Sequence, residues 1–175
     1  MRKKVLVAVA IGWLVTFSAV AGDDGGSTKA IDGVLSSFHQ AASDADGDLY
    51  FSLFADGAIF MGTDATERWT IAEFKAFAEP YFSEGRGWTY TKSERNIFVA
   101  ANGLTAWFDE MLWNEKYGTC RGTGVLVLTE KGWRIAQYHL TFPIPNDLSA
   151  DFTSRIKEFE TKKAAETRDL SGVGK

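Results

Sequence analysis

The sequence predicts an α+β domain in which helices come first and a continuous, mostly antiparallel sheet follows. Two observations carry this. Apolar residues recur at helical spacing through the first half of the chain, and after Gly85-Arg86-Gly87 the apolar period switches to two. Four strand-like runs then succeed one another with only short turn signals between them, which makes each neighbouring pair an antiparallel hairpin. Helices gathered ahead of such a meander argue for a layered fold with the helices on one face of the sheet. A strongly curved sheet would enclose a cavity against them, and Gly122 and Gly124 stand where the sheet might bend.

The elements follow in order. Ile31, Val34, Leu35, Phe38, Ala41 and Ala42 form one apolar stripe of a first helix, which stops near Asp44-Ala45-Asp46-Gly47. A short second helix spans roughly 49–54, and 58–62 reads as a strand. Residues 62–69 form a polar loop. Thr70 and Glu73 have the spacing of a capping box, opening a third helix whose apolar face is Ile71, Phe74, Ala78, Tyr81 and Phe82 and whose end is set near Pro80. The four strands are expected at about 88–99, 104–114, 121–129 and 132–142, and Pro143 and Pro145 close the sheet. A charged helix at about 148–166 carries Phe152, Ile156 and Phe159 on one side, and the frayed segment from Asp169 completes a C-terminal region of 148–175.

Residues 1–21 have the three parts of an export signal. Arg2, Lys3 and Lys4 precede an apolar run from Val5 to about Phe17, and Ser18-Ala19-Val20-Ala21 supplies a small-x-small cleavage site. The apolar run is too short to span a bilayer comfortably, although an uncleaved N-terminal anchor is the rival reading. No later stretch is apolar for long enough to cross a membrane. The expected location is periplasmic or secreted, with 22–29 as a flexible lead-in to the domain. Cys120 stands alone, so no internal disulfide is available and the core must hold the fold. Loss of the three N-terminal cations takes the formal charge from −4 to about −7. An acidic chain without a basic stripe is a poor partner for nucleic acid or for anionic lipid. After cleavage, therefore, neither nucleic acid nor membrane is expected as a partner.

At this point the chain resembles the SnoaL-like branch of the nuclear transport factor 2-like superfamily. The resemblance rests on Gly62-Thr63-Asp64-Ala65-Thr66-Glu67-Arg68-Trp69, on Trp107-Phe108-Asp109-Glu110, on Arg121-Gly122-Thr123-Gly124-Val125-Leu126, on Gly132-Trp133-Arg134-Ile135-Ala136-Gln137-Tyr138 and on Phe142-Pro143-Ile144-Pro145-Asn146, in that order over about residues 30–147. It implies a cone-shaped barrel of a curved sheet wrapped over the N-terminal helices, a pocket between the two layers, and a homodimer joined through the sheet. It implies no single activity, since the superfamily holds isomerases, cyclases, hydrolases, dehydratases and members that only bind or assemble. The Asp, Tyr and protonated-Asp trio of the steroid isomerases matches no set of positions here, and neither does the Asp–Arg–Asp set of the epoxide hydrolases.

The residues offer little for metal or nucleophile chemistry. His39, His139 and Cys120 are a thin ligand supply, and there is no G-x-S-x-G elbow, phosphate loop or H-E-x-x-H. No metal and no organic cofactor is expected. What stands out is charge within apolar strands. Ala106, Phe108, Glu110 and Leu112 point one way, and Trp107, Asp109, Met111 and Trp113 the other. A carboxylate in such surroundings is costly unless paired, and Arg95 or Arg121 would pair with Glu110. The functional reading is a pocket with this pair at its base and Trp69, Tyr90, Trp107 and Tyr138 as walls, holding a small apolar or amphipathic molecule. The structural reading is an ion pair that only fixes register. Glu110 and Asp64 are the candidates for acid–base work, with Asp64 equally suited to capping its turn. His39 is either a satisfied boundary residue or a pocket-lining proton carrier. Three functions follow: a binding domain, a cofactor-independent acid–base enzyme (isomerase, cyclase or hydrolase type) in the same pocket, and a dimeric assembly module without ligand.

Overall fold

The structure is a computed structural model and describes residues 24–172. The export signal expected at 1–21 lies outside the described residues. Five helical elements and six strands follow one another: α1 (Asp24–Ser43), α2 (Gly47–Ser52), β1 (Phe54–Met61), β2 (Arg68–Thr70), α3 (Ile71–Phe82), β3 (Thr91–Val99), β4 (Thr105–Asn114), β5 (Gly118–Thr129), β6 (Gly132–Thr141), a 3₁₀ turn (Asn146–Leu148) and α4 (Ser149–Gly172). The six strands make one sheet in the order β2-β1-β6-β5-β4-β3. All neighbours are antiparallel except β1 and β6, which run parallel and join the early strand to the late meander.

Several boundaries differ from the expectation: α2 runs 47–52 and not 49–54, β1 takes up Phe54 and begins four residues early, and β3 begins three residues late, at Thr91. The lead-in is helical from Asp24, so α1 takes in most of the segment read as flexible. Residues 68–70, read as loop, pair with β1 as a short edge strand, because Trp69 lies opposite Phe60 and the two rings stack 6.3 Å apart. β5 begins at Gly118, three residues early, where Gly118 turns the chain with a positive φ of 71°. At the C-terminus the segment read as frayed is helical as far as Gly172.

The core lies between the helices and the concave side of the sheet. α1 buries Ile31, Leu35, Phe38 and Ala42, a 4-3-4 spacing that keeps one face inward. These meet Tyr50 of α2, Phe74 of α3, and Phe108, Leu126, Ile135 and Tyr138 of the sheet. Phe38 stacks on Tyr50 at 4.6 Å and lies 4.7 Å from Tyr138, so one ring ties two helices to β6. Local chemistry fixes the helix starts. The Asp46 carboxylate accepts the Leu49 N–H at the head of α2, and Thr70 and Glu73 complete the capping box of α3. Pro80 falls two residues before the end of α3. α4 lies apart from the core, with Phe152, Ile156 and Phe159 exposed along its length.

The close approach of strands at the bend explains the two sheet glycines. A Cβ on Gly124 would run into the carbonyl oxygen of Gln137 and the ring of Phe108, and the β5–β6 register shifts between Val125 and Leu126. Gly124→Ala should therefore destabilise the domain by about 2 kcal/mol, the cost of overpacking a rigid site. Gly33→Ala, on the open side of α1 where a new methyl meets nothing within 4 Å, should stabilise it by about 0.5–1 kcal/mol. Urea unfolding of the two variants side by side checks the opposed signs.

Candidate functional site

The sheet register decides which partner Glu110 takes. Arg95 in β3 lies directly opposite Glu110 in β4, both on the concave face. The Arg95 side chain is 2% exposed and Glu110 is 0% exposed. Arg95 Nε donates to Glu110 Oε2 at 2.7 Å, and Nη2 lies 2.7 Å from the same oxygen. Oε1 accepts from His39 Nε2 at 2.7 Å and from the Tyr138 hydroxyl at 2.9 Å. Gly122, opposite Glu110 on β5, leaves the space that the carboxylate and the Tyr138 hydroxyl occupy. The network continues outward through Arg95 Nη1, which donates to the Asp32 carboxylate at 2.7 Å, to the Asp32 carbonyl at 3.1 Å and to Ser36 Oγ at 3.1 Å. Lys92 closes it at the surface, 3.0 Å from Asp32. Asp32, Ser36 and His39 are spaced four and three along α1, so one polar edge of that helix meets the charged end of β3 and β4.

Burial pushes the Glu110 carboxyl pKa up, but the bond and charge of His39 and the charge and bonds of Arg95 outweigh it and leave it below its ordinary 4.5. Burial and the adjacent Glu110 charge hold the Tyr138 hydroxyl well above its ordinary 10.0, so it stays a donor.

A cavity of about 220 Å³ opens at the mouth of the cone. Aromatic rings from β1, β2, α3 and the segment before β3 surround it, namely Phe60, Trp69, Phe74, Phe77, Trp88 and Tyr90. Tyr117 and Phe142 complete the far wall, and Gly62, Thr63 and Glu67 form the rim. Phe60 and Phe74 stack at 3.8 Å, and Trp69 stacks 5.5 Å from Phe74 and 5.0 Å from Phe77. Across Trp88, Tyr90 and Tyr117 the cavity joins a wider open groove of about 820 Å³. Phe60 and Tyr138 stack at 5.8 Å, so these two rings separate the Glu110 carboxylate from the cavity.

The structure thus divides the residues expected at one pocket into three groups. Trp69 and Tyr90 line the cavity. Arg95, Glu110 and Tyr138 form the sealed polar cluster behind it, with His39. Trp107 and Arg121 are on the other face of the sheet, and the expectation for both is corrected. Arg121 stands opposite Met111 and is exposed, because Glu110 pairs with Gly122 in this register; Trp107, 49% exposed, stacks on Phe98 of β3 at 5.8 Å. Asp64 is exposed and turned into its own loop, accepting the Thr66 N–H at 2.8 Å and the Thr66 hydroxyl at 2.6 Å. Those bonds lower its pKa. His139 lies on the outer face opposite Thr123. Sequence reasoning missed Asp32 and Ser36, for which the polar 32-36-39 spacing beside the apolar stripe of α1 was the signal. It also missed Glu67 and most of the rings at the mouth. Among the described residues no group of three or more His, Cys, Asp or Glu side chains is arranged to hold a metal ion.

A curved sheet wrapped over N-terminal helices into a cone is the fold of the nuclear transport factor 2-like domains. Within this class, the chain belongs to the family described as the SnoaL-like domain, whose pattern matches residues 31–145. Solved structures agree on the fold. An NTF2-like protein of unknown function from Pseudomonas putida superposes with a TM-score of 0.59 at 14% identity, covering 71% of this chain and 91% of its own. A proposed dehydratase from the NTF2-like family of Streptomyces avermitilis gives 0.58 at 13% identity, over 69% and 99%. A domain of unknown function with a cystatin-like fold from Nostoc punctiforme gives 0.58 at 17% identity, over 82% and 98%. No curated protein matches the chain.

Removing the charge of Glu110 takes from the buried Arg95 guanidinium its inner charged partner and leaves only Asp32 at the outer end. Glu110→Gln should cost about 3–5 kcal/mol in urea unfolding, and Arg95→Met should cost a similar amount. The pH dependence has a definite sign. A carboxyl whose folded pKa is depressed adds stability that is complete above its unfolded value, ordinarily 4.5, and that is lost as pH falls through the lower folded value. Wild-type stability should fall below pH 4.5 more steeply than that of Glu110→Gln, measured as urea midpoints across pH 3–6.

Proposed function

We propose that this protein is an exported small-molecule-binding domain whose ligand sits in the aromatic cavity at the mouth of the cone, with the Glu110 cluster holding the walls in place. The observation that carries this is the cavity itself: eight of its twelve lining residues are aromatic, and it is open to solvent. An exposed ring costs hydration free energy, so a cluster of rings around a hollow favours an apolar or amphipathic occupant. SnoaL-like domains bind small molecules or act as cofactor-independent enzymes, and binding needs only what the cavity supplies. Acid–base catalysis by Glu110 would require the reacting atom to pass Phe60 and Tyr138. Export rests on the charged start, short apolar run and Ala-x-Ala end of residues 1–21.

The test is a thermal-shift screen of small amphipathic molecules, with native mass spectrometry of protein purified from its own host. A retained small molecule, or a rise in Tm that Trp69→Ala abolishes and Arg121→Ala leaves intact, is the expected result. A clean apo mass together with no Tm response to any compound would overturn the reading.

A homodimer through the outer face of the sheet is the second reading, favoured by one observation. Phe98, Trp107 and Val125 form an apolar row across β3, β4 and β5, with Phe98 and Trp107 both about half exposed. Light scattering should give twice the chain mass for the wild type and a single chain mass for Trp107→Glu.

A further inference from the structure

We infer that the cavity selects a small organic cation of the quaternary-ammonium class, a conclusion that rests on the binding reading above and sharpens it. Three features of the lining point there. The first is the composition of the wall. Trp69, Phe77, Trp88, Tyr90 and Phe142 contribute to one hollow, and ring faces carry the negative lobe of the π quadrupole, which attracts a cation. The second is the charge. Among the described residues that line the cavity, Glu67 is the one carboxylate and none is Lys, Arg or His. Among the described residues the Glu67 side chain makes one hydrogen bond, from the Asp64 N–H at 3.1 Å, and no ion pair. Its side chain lies over Gly62, and the bond from the Asp64 N–H places the negative charge at the rim.

The third feature is size. At about 220 Å³ the cavity is smaller than the roughly 300–1,000 Å³ of drug-sized sites, and it matches a compact headgroup better than an extended ligand. Anything longer attached to that headgroup leaves through the adjoining groove past Trp88 and Tyr117. Rings of the adjoining groove already carry cations in the structure. The Lys116 ammonium lies 4.8 Å from the Tyr117 ring centroid, and the Arg86 guanidinium 4.9 Å from that of Tyr81. Neither cation lines the cavity itself. A quaternary ammonium suits the hollow better than a primary one. Its methyl groups have no N–H to leave unpaired against the rings, and its charge is spread over an apolar surface. An anionic or phosphate-bearing ligand inside the cavity would meet Glu67, with the Lys116 ammonium out in the adjoining groove.

Isothermal titration with two probes of nearly the same shape tests this. Choline carries the trimethylammonium group, and 3,3-dimethylbutan-1-ol replaces its nitrogen with carbon. The expected result is saturable choline binding, with the neutral alcohol at least about tenfold weaker. Glu67→Gln, a rim change that leaves the rings in place, should weaken choline about fivefold or more while the alcohol is unaffected. Equal or tighter binding of the alcohol overturns the inference, as does choline binding that ignores Glu67→Gln. If neutral probes such as the alcohol or indole bind and choline does not, the cation class falls and the binding cavity stands. If neither the cation nor any neutral probe binds to protein that melts cooperatively, both readings fall.

Discussion

The fold is organised around one buried carboxylate. Taking Glu110 out of water is tolerable only because three donors and a charge meet it: Nε of Arg95, the His39 ring and the Tyr138 hydroxyl, with the rest of the Arg95 guanidinium 2.7 Å away. Those donors come from α1, β3 and β6, while Glu110 itself belongs to β4. A single charge therefore specifies how the first helix sits on three strands. Slip β4 against β3 by one residue and Glu110 would face solvent, leaving the guanidinium with only its outer partners Asp32 and Ser36. Hydrophobic packing supplies the bulk of the stability, but it is non-directional. The charge cluster supplies the register and the helix position that greasy contacts leave open.

The same cluster shapes the place where a ligand can go. Tyr138 spends its hydroxyl on Glu110 and its ring face on Phe60, and Phe60 in turn stacks on Phe74 at the back of the cavity. The walls are therefore positioned from behind, by a polar interior that the ligand does not touch. This separates two roles that a charged residue in a hollow cone invites one to merge. The carboxylate at the core orders the rings, and the carboxylate at the rim, Glu67, faces the solvent-open side.

Much of the fold was legible because local signals agreed with one another. The apolar stripe of α1, the Thr70–Glu73 box and the period-two runs of β4 to β6 each point to the element that forms. The short strand at Arg68–Thr70 was not legible, since three polar-flanked residues carry no period and only the pairing of Trp69 with Phe60 makes them a strand. For the site, the alternation along β4 placed Glu110 inward but left two arginines as partners. Choosing Arg95 over Arg121 needs the inter-strand register, which no single strand encodes. Trp107 was misplaced for the same reason: an aromatic residue in a strand is apolar on whichever face it occupies. The cavity was least visible, because its aromatic walls come from six separate segments that share no spacing in the sequence.

The parallel pairing of β1 with β6 has a consequence for the life of the chain before it is folded. β1 is made early, yet its ladder partner on the meander side arrives some eighty residues later. Until then the half-built sheet keeps an open edge, and the aromatic floor has no roof. A topology with so distant a closure forms slowly, since the loop entropy must be overcome before the pairing rewards it. Late closure also means that the nascent molecule stays loose through most of its synthesis, and locks only once its final strand has emerged.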